Sequence, residues 1–486
     1  MMDIPAYILK IVNDLKASGY EAYIVGGCVR DLLMKREPQD WDITTNARPE
    51  QILKVFPAAK YENAFGTVIL PVRAAAESGQ AKGRLEDVVE ITTYRSEQGY
   101  SDRRHPDTVK FETELDKDLE RRDFTFNALA LDPSDHEKII DYFGGRKDIK
   151  AKIVRAVGEP ADRFKEDALR MLRAVRFTAQ LGFSLEPKTQ RAIGKLAGSL
   201  KFVSQERIRD ELIKILASER PAEGILLLHE CKLLQYILPE LKEGVGVRPA
   251  RHHIHPVFEH NVMTLKHCPS REWPVRLAAL LHDVGKPRTR QIIKGIATFY
   301  NHEYVGAKLT ERIMRRLKFA NEDRERVVNL VKNHMFYYNV GEVSAASVRR
   351  LIVKVGRENL QDLIHLRVGD RLGSGPLKAM PYKLRHLQYM LEKVQNDPVS
   401  VKMLKINGDD LMRLLKIAPS PKIGAILDVL LSEVIDNPEL NTADQLSGRA
   451  RELADLDLAD LRSRAKEVIA EKRDADDRQI KQQFKV

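Results

Sequence analysis

The stretch that decides the fold is Y-I-V-G-G-C-V-R-D-L-L-M-K-R-E-P-Q-D-W-D-I, residues 23–43. A short β-like run ends in a paired glycine, Gly26 and Gly27, and a spaced pair of aspartates, Asp40 and Asp42, follows within one strand-sized distance. On a strand, residues two apart point to one face, so the two carboxylates can share a cation. Hard carboxylates on a rigid strand suit Mg²⁺, which keeps waters and takes further oxygens from phosphates. Glu90, in V-V-E-I-T-T-Y-R, is a third acid that would complete a two-metal site able to activate a hydroxyl and stabilise a leaving oxygen. The glycines let backbone N–H groups approach phosphate oxygens where a Cβ would clash, and a helix beginning near Val29 would add its N-terminal dipole.

Outward from this stretch, residues 1 to about 145 alternate β-like runs (E-A-Y-I-V-G-G, G-T-V-I-L-P-V, D-V-V-E-I-T-T-Y-R, T-V-K-F-E-T-E) with helical segments, the pattern of an α+β unit. A small, polar excursion at 73–84 joins two of the runs. The polar stretch 93–108 reads as a loop too long for a hairpin turn. Beyond about 160 the apolar period is 3.6, and the rest of the chain reads as helical.

The 486 residues are too many for one ordinary core and suggest three or four units. No apolar run reaches the length of a membrane span, so a cytoplasmic protein is expected. Cys28, Cys231 and Cys268 are far apart, with no CxxC spacing for zinc or a redox pair, and read as reduced and structural. The formal charge of +11 suits a polyanionic partner.

Six motifs in order, G-G-C-V-R-D, D-W-D-I, R-R-D-F-T-F-N-A-L-A (121–130), D-Y-F-G-G-R-K-D-I (141–149), E-D-A-L-R-M-L-R-A-V-R-F (166–177) and S-Q-E-R-I-R-D-E-L (204–212), resemble the class II tRNA nucleotidyltransferases and bacterial poly(A) polymerases. The resemblance implies a polymerase-β-like nucleotidyltransferase head with a small mixed sheet (1–148), then an elongated all-α remainder. That remainder comprises a neck for base selection (149–220), a body (221–375) and a tail that binds tRNA (376–486). The implied activity is template-independent addition of CCA to tRNA from CTP and ATP.

The residues have their own reading beside this. Asp167 and Arg170, three apart in a helical pattern, lie on one face and place an acceptor beside a donor. Such a pair accepts the amine and ring nitrogen that C and A present, and refuses the reversed pattern of G and U. Arg173, one turn on, faces the same side and can neutralise a triphosphate. By resemblance, Arg30, Arg122, Asp123 and Asn127 join Gly26 and Gly27 at the ribose and phosphates, Asp123 accepting from sugar hydroxyls, and Arg207 braces the nucleotide-binding helices. The family uses a flexible loop at 93–108 in switching from C to A, and this one is not visibly shortened, as it is in relatives that add only CC.

Histidines concentrate between 250 and 375, where an apolar helical run ends in His282-Asp283-Val-Gly-Lys-Pro. This resembles the HD phosphohydrolases, by which His260, His282, Asp283 and Asp370 would hold one divalent metal, a transition metal or Mg²⁺. His302 and His334 would serve a second metal or a phosphate. Mixed His/Asp ligation leaves positions open for water and phosphate. The implied chemistry is phosphohydrolysis that cleans RNA 3′ ends. His252, His253 and His255 receive no role.

Poly(A) polymerase is the nearest alternative, opposed by the HD region that such polymerases lack, and addition of CC or A alone stays open. An HD hydrolase with an RNA-binding head is the alternative of another class. The carboxylates Asp40 and Asp42, with Asp167 and Arg170, argue against it, because a mere binder has no use for metal carboxylates.

Overall fold

The computed structural model describes residues 3–464 except 63–65, 74–84, 101–106, 136–137, 249–254, 337, 339–342, 344, 376–381, 395–397 and 399. The excursion at 74–84, two of the unassigned histidines (His252 and His253) and the chain beyond 464 lie outside the described residues.

The head strands are β1 (Ala22–Val25), β2 (Asp42–Thr45), β3 (Lys60–Tyr61), β4 (Thr67–Arg73), β5 (Leu85–Thr93), β6 (Arg95–Gln98), β7 (Thr108–Phe111), β8 (Ala130–Asp132) and β9 (Lys138–Ile140). Seven form one sheet in the order β3-β4-β5-β2-β1-β8-β9. Only the central β2–β5 pair is parallel, so the sheet is mixed, as expected. Alternation along β1 and β2 sends Ala22, Ile24 and Ile43 to one face, where they meet Ile8, Ile11, Val12 and Leu15 of the helix Ala6–Ala17. Those four helix positions follow the i, i+3, i+4, i+7 pattern of an amphipathic stripe. The opposite face packs Val25, Tyr94 and Ala130 against Leu115 and Leu119 of the helix Leu115–Glu120.

Two local expectations are corrected. The helix after the paired glycine starts at Gly27 and not near Val29, because Gly26 adopts φ +83° and turns the chain one step earlier. The polar stretch 93–108 is no simple loop: β6 pairs with β7 as a two-stranded ribbon, leaving 99–107 as the connection. Arg95–Gln98 is polar on both faces, so alternation gives no signal for β6, although Val109 and Phe111 mark β7.

The helical part has its largest core running without a break from Phe124 and Phe126, through the helix Leu169–Leu181, to Leu366 of the helix Leu360–Gly373. The neck and body therefore share one interior across the expected boundary at 220. Arg276, buried on the helix Trp273–Leu281, reinforces this by donating to the carbonyls of Leu216 and Ser218, both at 2.7 Å. It thereby caps the helix Gln205–Leu216, whose last carbonyls lack helical partners. The expected tail is also divided: Leu384, Leu387 and Leu391 pack with Val348 and Ile352, whereas residues from Leu404 to Leu461 form a separate bundle. All three cysteines are free and buried, and no helix among the described residues is long and apolar enough to cross a membrane.

Candidate active sites of the head and the helical body

Parallel pairing sets Asp42 directly opposite Glu90 at the start of β2 and the middle of β5. Asp40 lies in the bend before β2 and is not itself a strand residue, so strand alternation does not align it with Asp42; Pro38 and the exposed turn end the strand short. The three acids still feel one another. Burial pushes the Asp42 carboxyl up and Asp40 adds to this, with Arg122 opposing. Partial burial, Asp42, Glu62 and Asp40 raise Glu90. Burial of carboxylate charge, added to at Glu90 by its acidic neighbours, is what a divalent ion would relieve, so the donor set fits a hard metal.

Gly26 stands against these acids. A Cβ there would lie 2.9 Å from Arg122 Nη1 and 3.3 Å from Asp42 Oδ2. Arg122 is held from behind by Asp118, whose carboxylate is fully buried and also receives Arg121 at 2.7 Å and the Thr44 hydroxyl at 3.2 Å. Burial disfavours its charge, yet Arg121 and Arg122 hold Asp118 below the usual carboxylate range. The sequence reading missed Asp118, since D-K-D-L-E reads as an ordinary exposed helix face.

From Arg30 a hydrogen-bonded chain leads into the neck. Arg30 Nη1 donates to Asn127 Oδ1 at 2.9 Å, Asn127 Nδ2 to Asp123 Oδ1 at 3.2 Å, and Arg173 Nε to Asp123 Oδ2 at 2.7 Å. Asp123 is buried, and the Phe124 amide also donates to it, so both its oxygens serve protein donors where sugar hydroxyls were expected. Arg30, Arg173 and Arg176 form a cluster around the Phe177 ring at 5.3, 5.5 and 4.3 Å from its centre, each also paired with a carboxylate, Asp31, Asp123 and Glu211 in turn. Gly27 lies beside it, its Cβ position 3.5 Å from Arg30 Nη2.

Asp167 and Arg170 do not share one continuous helix. Asp167 is extended (φ −139°, ψ 109°), ending the helix Pro160–Glu166, and the next helix begins at Leu169. The break arises because the Asp167 side chain accepts the Leu169 amide at 2.9 Å, a local capping bond that competes with helical continuation. Arg207 clamps the same carboxylate at 2.6 Å. Arg170 rests on Glu166 at 2.5 Å and on the Arg121 carbonyl at 3.1 Å.

The second site is assembled from helix ends. His282 and His334 each follow a helix, His302 begins one, and His260 and Asp370 lie within two others. Asp283 is the hinge of the cluster. Its Oδ2 lies 3.4 Å from His260 Nε2 and 3.3 Å from His282 Nε2, while its Oδ1 lies 3.2 Å from His302 Nε2 and 3.7 Å from His334 Nε2. Asp370 Oδ1 approaches His260 at 3.2 Å. His282, His302 and His334 donate Nδ1–H to the carbonyls three residues earlier, Ala279, Phe299 and Val331, at 2.9, 2.8 and 2.7 Å. That fixes the tautomer and leaves each Nε2 lone pair facing the carboxylate, the orientation metal ligands need.

Two groups therefore have their donor atoms within 4.8 Å of one another, His260/His282/Asp283 and Asp283/His302/His334. Burial works against ionising Asp283, but His282 when protonated, and Lys286 with Nζ 2.5 Å away, hold it well below the usual range. The sequence reading left out Lys286, although Gly-Lys-Pro stood next to the motif; those residues open a new helical turn at Lys286–Thr289 and are not simply a stop. His255 belongs to neither group.

Comparison with known proteins matches the Poly A polymerase head domain over residues 22–155, the probable RNA and SrmB-binding site of polymerase A over 182–244, and the HD domain over 257–372. An A-adding tRNA nucleotidyltransferase of Deinococcus radiodurans is 38% identical over 340 residues, 67% of this chain and 76% of that protein. A CCA-adding enzyme of Enterococcus faecalis is 31% identical over 451 residues, 91% of this chain and 94% of that protein. The chain belongs to the tRNA nucleotidyltransferase family. Among solved members, the Bacillus stearothermophilus CCA-adding enzyme in complex with CTP superposes with a TM-score of 0.66 at 27% identity, covering 92% of this chain and 96% of that one. Nucleotidyltransferase and HD domains ordinarily use divalent metals, in keeping with both donor sets.

Proposed function

We propose that the head adds C, C and A in turn to the 3′ end of tRNA, using CTP and ATP and releasing pyrophosphate. The observation that carries this reading is the register of Asp42 against Glu90 beside the Gly26 turn, joined to the neck by the Arg30–Asn127–Asp123–Arg173 chain. Asp40, Asp42 and Glu90 would hold Mg²⁺, which neutralises phosphate charge when bound. The tRNA 3′-hydroxyl oxygen attacks the α-phosphorus, the bond to the bridging oxygen breaks, and pyrophosphate departs. The hydroxyl proton leaves to solvent water.

The Phe177 arginines and the Gly26–Gly27 backbone would receive the triphosphate, Arg122 lying between them and the carboxylates. Asp167 would accept from the exocyclic amine of C or A while Arg170 donates to the neighbouring ring nitrogen. For this Arg170 exchanges its Glu166 contact for the base, and Arg207 keeps Asp167 in place. The reading implies a cytoplasmic enzyme whose helical remainder grips tRNA through phosphate and shape.

Likeness to the A-adding relative favours a second reading, addition of the terminal A alone. Incubating the protein with tRNA ending before C, after C and after CC, and with CTP and ATP singly and together, separates the two. Growth by C, C, A supports the first reading, and growth only from the CC end the second.

For the helical centre, two donor sets sharing Asp283 support a binuclear phosphohydrolase. His260, His282, Asp283 and Asp370 would hold one divalent ion, and His302 and His334 with Asp283 a second. The substrate class is the 2′,3′-cyclic or terminal phosphate of a damaged RNA end, tested by phosphate release and ring opening on such ends.

A further inference from the structure

A line of aromatic rings begins at the ligands of the helical centre. Just past His334 come Met335, 55% exposed, and the half-buried Phe336 and Tyr338. Arg367, one turn before Asp370 and bonded to it at 2.9 Å, lies over the Phe336 ring at 5.7 Å. The Tyr338 hydroxyl meets His386 Nδ1 at 2.5 Å, with the two rings 6.0 Å apart, and His386 stands 6.1 Å from Tyr389. Tyr389 is 58% exposed. On its helix, Tyr382–Val394, the exposed Arg385, Tyr389 and Lys393 recur every fourth residue and so share one face.

Phe336 and Tyr338 also pack against the cluster of Val348, Ile352 and Leu387, but neither folding nor the head's chemistry accounts for the exposed face of Arg385, Tyr389 and Lys393. A large exposed ring flanked on its own helix face by two cations offers a π-face for a base and charges for the phosphates on either side. A narrow file of rings suits unstacked bases, whereas a duplex is gripped across its groove by shape. We propose that this strip binds the single-stranded 3′ segment of an RNA, with bases stacked on Tyr389 and His386 and the backbone on Arg385 and Lys393. The segment would run past Tyr338 and Phe336 and bring its terminal phosphate to the His/Asp cluster. The proposal rests on the phosphohydrolase reading for the direction of the strand, but not for binding itself.

The test uses the full chain in EDTA and a short, unstructured, 5′-labelled oligoribonucleotide with a 3′-phosphate, which the head cannot extend. Fluorescence anisotropy should show Tyr389→Ala weakening binding about tenfold, the scale of one lost base stack, with Tyr389→Phe restoring it. Arg385→Gln should flatten the slope of log affinity against log salt by about 0.7, one phosphate contact on a single strand. Unchanged affinity in Tyr389→Ala overturns the proposal. So does unchanged RNA affinity accompanied by altered sedimentation, which would make the face a protein contact. In a second arm, Tyr389→Ala should lower the ratio of kcat/KM for an oligonucleotide 2′,3′-cyclic phosphate to that for a mononucleotide 2′,3′-cyclic phosphate. If the wild type opens neither, the phosphohydrolase reading fails while the binding arm still decides the strip.

Discussion

Arg207 reaches from the helix Gln205–Leu216 to clamp Asp167 at 2.6 Å, in the gap between two other helices. The pair is partly buried, and Asp167 has no helical backbone to hold it, so the guanidinium sets where that carboxylate points.

Arg207→Ala should therefore loosen base choice more than it harms folding. In single-nucleotide extension of tRNA, discrimination of CTP and ATP against UTP and GTP should fall by about 10-fold or more, the scale of a lost charge-assisted bond of about 1.5–3 kcal/mol. Arg207→Lys restores the charge but not the two-pronged contact, and should recover only part of the selectivity.

Asp42→Asn should abolish incorporation of every nucleotide and leave tRNA binding in place, measured by extension and filter binding. It should also show a pH signature. The folded-state proton affinities of Asp42 and Glu90 lie above their unfolded values. Their contribution to stability is thus complete below the ordinary carboxylate range and is lost as pH rises through the raised values. At neutral pH in EDTA the variant should melt above the wild type, and the gap should close toward pH 3.5 or on adding Mg²⁺. A variant that melts lower at neutral pH would contradict the assigned cost of burying these charges.

Gly26→Ala meets both a backbone and a space problem, since φ is +83° with ψ −134° and the new methyl would press on Arg122 and Asp42. Residues held there cost about 1–3 kcal/mol. A lower melting temperature together with a lower kcat is expected, in contrast to Asp42→Asn, which changes the two in opposite directions at neutral pH.

Asp283→Ala should remove both bound metals of the helical centre, because each oxygen faces a different histidine pair. His334→Ala should remove only one. Metal content after dialysis reads this directly, and CCA or A addition by the head should survive in both variants.

Much of this was legible in the residues. The paired glycine, the two aspartates and the His-Asp step announced their chemistry through residue type and order, although Asp40 precedes the strand and its spacing to Asp42 is not a strand period. What escaped had no periodic trace. Asp118 became a buried anchor only because β2 passes over it and presents Thr44 to it. The break at Asp167 lies inside a sequence whose apolar period continues unbroken, and a single side-chain-to-amide bond decides it. The β6–β7 ribbon is stitched by backbone pairing and by Arg121 on Glu97 at 3.1 Å, neither of which depends on apolar alternation.

The interior shared by the neck and the body has a bearing on how the protein is made and lost. With the Asp167–Arg207 region and the His/Asp cluster built around one packed core, protease nicking or heat that opens either region exposes the other. A gene fragment ending near 220 would cut through packed side chains and leave no free-standing transferase. The cell thus receives its two centres in a fixed one-to-one dose and with a common lifetime, without any separate control of their amounts.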